Sequence, residues 1–156
     1  MTHRIGVADT MFARVDMFKI VKKAISDKGV GIKLERYTVP GIKDLPVACK
    51  KLIEEIDCEI VIALGMPGPE QIDKQCAHEA SMGIIQVQLL TNKHILEVFV
   101  HMDEGKDDKQ LHKITYNRTY DHALNALKLL EGKEALSKKA GKGIRQGHKN
   151  EGNIKE

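Results

Sequence analysis

The stretch EIVIALG, residues 59–65, constrains this chain more than any other. After its first acid it is a continuous run of apolar residues. A strand with no polar face has none to offer water, and such strands lie in the middle of a parallel sheet covered by helices on both sides. The remaining sequence therefore has to supply those helices and the flanking strands.

It does so in a regular alternation. RIGVADT (4–10) reads as strand one, and ARVDMFKIVKKAISDKG (13–29) as a helix with Met17, Val21, Ala24 and Ile25 on one face and Gly29 as its stop. In IKLERYTV (32–39), Ile32, Leu34, Arg36 and Thr38 alternate with charged or aromatic neighbours, which places strand two near an edge. LPVACKKLIEEI (45–56) is helix two, with Pro46 in the first turn, where a missing N–H does no harm. A third helix is predicted from about Asp73 to Leu90, strand four at HILEVFVHM (94–102), and a last helix over 107–132 with Leu111, Ile114, Leu124, Leu127 and Leu130 inward. Strand–helix alternation with right-handed crossovers predicts an α/β single domain over 1–132, a four-stranded parallel sheet flanked by helices. Residues 133–156 form a basic, Gly-rich tail, read as a lid or subunit-interface segment.

With three Phe, three Tyr and no Trp, the core has to be aliphatic, and an aromatic in a loop stands out. The net charge of +3 comes from bases mixed with acids as far as the tail, which makes no case for nucleic acid. Cys49, Cys58 and Cys76 show no metal-like pairing and are read as small buried hydrophobes in a reducing cytoplasm. No run suits a signal peptide or a membrane helix. The expectation is a cytoplasmic protein without a membrane partner.

In open parallel sheets, ligands bind beyond the carboxyl ends of the strands. Here those ends read DTMF (9–12), VPGIKD (39–44), ALGMPG (63–68) and VHMDE (100–104), the loops richest in Pro, Gly, acid and aromatics. Asp44 has two compatible readings, an N-cap for helix two and a carboxylate at a site mouth that accepts hydroxyl hydrogen bonds from a polyol. Phe12 is a hydrophobic staple or a platform for a planar heterocycle. His101 is a solvated loop histidine or a general base oriented by Asp103 or Glu104. His78 with Glu79 lacks the second His of HExxH and reads as an ordinary helix pair. GMPGP carries neither a GK[ST] ending nor GxGxxG, which excludes a nucleoside-triphosphate loop.

TVPGIKDLPVACKKL, IALGMPG, CAHEAS, TNKHILEVFVH and AGKGIRQG together resemble the archaeal type of riboflavin synthase, a relative of lumazine synthase. The resemblance covers nearly the whole chain in the same order. It implies a flavodoxin-like sheet and a transferase that dismutates two molecules of 6,7-dimethyl-8-ribityllumazine. A four-carbon unit passes between them, giving riboflavin and 5-amino-6-ribitylamino-2,4-pyrimidinedione. It also implies a homopentamer with active sites between subunits, no organic cofactor, and help from magnesium, with no residue assigned as a metal ligand.

Through the resemblance, Pro40, Gly41, Ile42, Lys43 and Asp44 match the segment of lumazine synthases that meets the substrate, with Asp44 in place of a glutamate that contacts ribityl hydroxyls. Thr10 and Phe12 fall in the loop whose aromatic stacks on the pyrimidine, and Arg118 falls on a basic residue of the site. Two departures stand out. Where lumazine synthases carry a Thr for the substrate phosphate and then a His, this chain has MPGPEQIDKQCAHEAS (66–81) with neither at the matching place. Where they place an aromatic near the end of strand four, it has Glu97.

The expected mechanism holds two lumazines face to face. His101 takes a proton from the acidic 7-methyl group, Phe12 and Met66 flank the rings, Asp44 anchors a ribityl chain, and N–H groups around Gly65, Met66, Pro67 and Gly68 meet ring carbonyls. Three alternatives stand beside it: lumazine synthase activity, a non-catalytic lumazine or flavin carrier, and a receiver-like domain with Asp9 as its acidic site.

Overall fold

A computed structural model of the chain describes residues 2–156. Four parallel strands, β1 (His3–Thr10), β2 (Ile32–Val39), β3 (Ile60–Gly65) and β4 (Ile95–Phe99), lie in the order β2-β1-β3-β4. Register runs from Ile5 opposite Ile60 to Ala8 opposite Ala63, and from Val61 opposite Ile95 to Gly65 opposite Phe99. As the apolar run requires, every residue of β3 is buried. β2 is an edge strand and mostly open to solvent.

Although β3 is uniformly apolar, its side chains still alternate between the two faces. Ile60, Ile62 and Leu64 join Ile5 and Val7 under helices α1 (Met17–Lys28) and α4 (Asp108–Glu131). Val61 and Ala63 face α2 (Leu45–Glu54) and α3 (Gln71–Thr91). Burying each large aliphatic side chain contributes about 2 kcal/mol, so a strand buried on both faces anchors both layers. Gly6 is small because Leu52 and the Cys58 thiol press on β1 there, 3.1 Å from where a Cβ would be.

Helix α1 begins at Met17, four residues later than the pattern predicts. The chain first turns on Thr10, whose Oγ1 accepts from the Ala13 N–H at 3.3 Å, while Asp16 is drawn to Arg36 at 3.2 Å. Thr10 is therefore buried in a turn and does not line the cavity beside Phe12. Asp9 is buried as well. Its carboxylate accepts from Arg36 at 2.7 Å and from the Thr38 hydroxyl at 2.6 Å, an internal knot unlike the open acidic site a receiver-like domain needs.

Cys49 and Cys58 are buried as expected, and burial pushes their thiols up to about 12 and about 11. Cys76 is only half-buried. Among the described residues, no helix is long and apolar enough to cross a membrane.

Beyond α4 the tail folds back. Gly147, at φ 75°, donates its N–H to Asn117 Oδ1 at 2.8 Å, and the next residue, His148, reaches Arg118. A Cβ at Gly147 would lie 2.5 Å from Arg118 Nε, so both the positive φ and this close approach demand glycine.

Candidate functional site

The parallel sheet brings its loops to one end, as the sequence predicts, but the side chains gather in two cavities. They lie on opposite flanks of the first turns of α3.

The first cavity, about 250 Å³, is lined by Phe12 after β1, by Pro40–Asp44 after β2, by Pro67 and Gly68 after β3, and by Asp73 and Cys76 of α3. Phe12 is about half exposed and belongs to neither core cluster, so its ring is presented to the cavity and does not staple α1. Asp44 differs from the expected helix cap. Its backbone N–H donates to Gly41 O at 3.1 Å, and its Oδ2 accepts from the Gly41 N–H at 3.2 Å. No side chain caps α2, whose second residue, Pro46, needs no acceptor. The carboxylate is thus held by its own turn and remains exposed at the cavity mouth. Lys43 reaches across to Glu79 at 3.3 Å, so Glu79 pairs with the loop and not with His78.

Two residues assigned to the loop after β3 are corrected. Met66 is fully buried, because it continues the Ile60, Ile62, Leu64 alternation into the α1–α4 core, and it cannot flank a ligand ring. Gly65 is a packing glycine. It ends the central strand β3, its oxygen accepts from the Val100 N–H, and a Cβ would meet Ile42 and the Phe99 ring at 2.8 Å. Pro67 and Gly68 do line the cavity.

Directly beyond them, Asp73 Oδ2 accepts from the Glu70 N–H at 3.0 Å. The chain thereby sets its own carboxylate at the start of α3, at the place where a helix N-terminus would welcome an anion.

The second cavity, about 570 Å³, is lined by Phe99, His101 and Glu104 at the end of β4, by Arg118 and His122 of α4, and by the opposite flank of α3, where His78 and Ser81 face Glu97. Arg118, nearly buried, organises it. Nη1 donates to Phe99 O at 2.8 Å and to Glu104 Oε2 at 2.9 Å, and Nη2 to Glu104 Oε1 at 2.7 Å. Nη2 also meets His148 Nε2 at 2.8 Å. A guanidinium only donates, so this nitrogen of His148 is the acceptor and carries no proton in the arrangement. Desolvation pushes the Glu104 carboxyl up, but the Arg118 hydrogen bonds, the His101 N–H and the nearby positive charge outweigh it and hold the group below its ordinary range. Arg118 thus lines the second cavity and not the one that holds Phe12 and Asp44.

His101 donates its backbone N–H to Glu104 Oε2 at 2.8 Å, and its Nδ1 lies 3.8 Å from the same oxygen. Asp103 does not orient it, because Lys74 binds that carboxylate at 2.8 Å.

Two residues of this cavity, His122 and His148, escaped the sequence reading, and a third, Glu97, stood in it only as a departure from the lumazine synthase pattern. His122 presents a buried Nδ1 with no partner, and burial, then the Arg118 charge, lowers its pKa. Its position four residues after Arg118 puts the two on one helical face, a signal the sequence did carry. His148 belongs to the tail, where no local pattern marks it. Glu97 accepts a hydrogen bond from the Ser81 hydroxyl, and burial raises its pKa against that bond.

Among the described residues no three His, Cys, Asp or Glu side chains gather as metal ligands, and the carboxylates Glu104 and Asp103 are held by Arg118 and Lys74.

The family described as 6,7-dimethyl-8-ribityllumazine synthase matches residues 2–134. A protein named riboflavin synthase from Methanothermobacter marburgensis is 57% identical over 144 residues, 92% of this chain and 94% of that protein. One of the same name from Archaeoglobus fulgidus is 48% identical over 151 residues, 97% of this chain and 98% of that protein. The protein named 6,7-dimethyl-8-ribityllumazine synthase from Methanocaldococcus jannaschii is 30% identical over 81 residues, covering 51% of this chain and 57% of its own length. With the match spanning every strand and helix of the sheet, the chain belongs to the 6,7-dimethyl-8-ribityllumazine synthase family.

Proposed function

We propose that this protein is a riboflavin synthase of the archaeal type, converting two molecules of 6,7-dimethyl-8-ribityllumazine into riboflavin and 5-amino-6-ribitylamino-2,4-pyrimidinedione. The observation that carries this reading over lumazine synthase activity is the pair of acids at the start of α3. A lumazine synthase binds a phosphorylated four-carbon substrate. Here the carboxylates of Glu70 and Asp73 stand at the start of α3 beside Gly68, so a phosphate dianion would meet two like charges there. The dismutation uses no phosphate. It also balances without an organic cofactor, since the four carbons one lumazine loses are those the other gains.

The active site is formed between copies of the chain. Phe12 and Asp44 are presented on one flank of α3, His101 and Arg118 on the other, and a neighbouring subunit that apposes the two flanks completes the set. Exposed Ile72, Met82, Ile85 and Leu89 on α3 supply an apolar surface that suits such an assembly, read as a homopentamer. In this site Phe12 stacks on one ring and Asp44 accepts ribityl hydroxyls. His101 takes the 7-methyl proton, and the Arg118–Glu104 ion pair fixes the geometry of the loop after β4.

The direct test incubates the protein with 6,7-dimethyl-8-ribityllumazine alone, with and without magnesium, and follows riboflavin absorbance. Turnover is expected without any phosphorylated partner. No turnover, with lumazine appearing once the pyrimidinedione and 3,4-dihydroxybutanone 4-phosphate are supplied, overturns the assignment. Binding without either reaction leaves a carrier.

A companion measurement concerns Asp44. Asp44→Ala is expected to raise the Kd for lumazine about tenfold or more, the value of a hydrogen bond to a charged acceptor, while the fold persists because the side chain bonds only to Gly41. An unchanged Kd would reduce Asp44 to a turn residue.

A further inference from the structure

We propose that Glu97 reads the imide edge of the substrate ring as a neutral carboxyl, donating its O–H to a ring carbonyl and accepting the ring N–H. The inference rests on the riboflavin synthase reading and adds a specificity residue to it.

Glu97 lies on β4, on the wall of the larger cavity, and is half-buried. It takes part in no ion pair among the described residues. The cations nearest in the cavity wall are held elsewhere, Lys74 by Asp103 and Arg118 by Glu104. A carboxyl withdrawn from water without a cation favours its uncharged form. Two carboxyls in one cavity are therefore pushed in opposite directions, Glu104 towards the anion by Arg118 and Glu97 towards the acid by burial.

The hydrogen bond from Ser81 opposes this shift and burial outweighs it, but the bond fixes which oxygen is left open. Ser81 donates to Oε1, which makes that oxygen the carbonyl-like one, and Oε2 has no partner among the described residues. A neutral carboxyl offers one donor and one acceptor side by side. That pair complements the C(=O)–NH edge of the pyrimidinedione ring, which substrate and both products share. Oε1 has a second lone pair for the ring N–H, and the O–H on Oε2 meets the adjacent ring carbonyl. A charged carboxylate would accept the N–H but repel the carbonyl.

Riboflavin is the useful probe, because it carries the same edge and does not turn over alone. Its fluorescence quenching would give Kd for riboflavin and for 3-methylriboflavin, which lacks the N–H. For the protein itself, the methyl group is expected to weaken binding about tenfold or more. Glu97→Ala should lose about tenfold for riboflavin and show almost no further loss on methylation, while Glu97→Gln, neutral and with the same donor and acceptor, should recover most of the affinity. Thermal unfolding of both variants checks that the fold is intact. A methylation penalty that persists in Glu97→Ala, or a Glu97→Gln variant as weak as Glu97→Ala, overturns the assignment. A protein that neither binds riboflavin nor makes it removes the functional reading as well, whereas one that makes riboflavin without a methylation penalty overturns only Glu97.

Discussion

Arg118→Ala is expected to lower Tm by roughly 6–12 °C and to release the C-terminal segment, with loss of activity. The side chain is nearly buried and bonds at once to Glu104, to the Phe99 carbonyl, and to Gln146 O and His148 of the tail. Removing it leaves Glu104 partly buried with no cation and the Phe99 carbonyl without that donor. Breaking one side of a buried pair costs about 3 kcal/mol, and each kcal/mol moves Tm by about 2–4 °C in a chain of this size.

The pH dependence has a definite sign. Glu104 is held below its ordinary range in the folded protein, so the pair stabilises at neutral pH and above, and its contribution is lost as pH falls through the depressed value. Arg118→Ala should therefore lose more stability at neutral pH than in acid. Arg118→Lys keeps the charge but not the two-pronged geometry, and should recover only part of the loss. Tail release is read by limited proteolysis across residues 140–150. A Tm change below about 2 °C, with an equally protected tail, would show that Arg118 is not the organiser of this corner.

Much of the fold was legible because its strongest signals are local. The apolar run at 59–65 fixed a central strand, and the mixed pattern at 32–39 fixed an edge. The strand-end loops were located by the parallel arrangement alone. Met66 was misassigned although the information was present, since Ile60, Ile62 and Leu64 share one face and period two carries Met66 onto it. Asp73 was equally readable, standing three residues after Glu70 at capping-box spacing. The separation of Phe12 from Arg118 was not readable. It depends on which flank of α3 each loop packs against, and residues 73 and 76 point one way while 74, 77 and 78 point the other. The meeting of His148 with Arg118 joins positions thirty residues apart through a tail without periodicity.

His101→Ala is expected to reduce kcat by about 10²–10⁴, the usual contribution of a positioned base, while leaving Tm nearly unchanged. The backbone, not the ring, makes the residue's close bond to Glu104, so alanine preserves the loop after β4. The imidazole lines the cavity, with Nδ1 3.8 Å from Glu104 Oε2. A base acts in the transition state and contributes little to ground-state binding, so kcat should fall while KM changes by only a few-fold. The 7-methyl group gives a second readout. In deuterium oxide the protein should speed deuterium entry at that methyl, and His101→Ala should slow it in proportion to kcat. His122→Ala is the control within the same cavity: its Nδ1 is buried and unpartnered, and it should not slow the exchange in the same proportion. A kcat loss of less than about tenfold in His101→Ala, with exchange unaltered, would hand the proton to water or to the second lumazine. The protein would then act by holding two rings in contact.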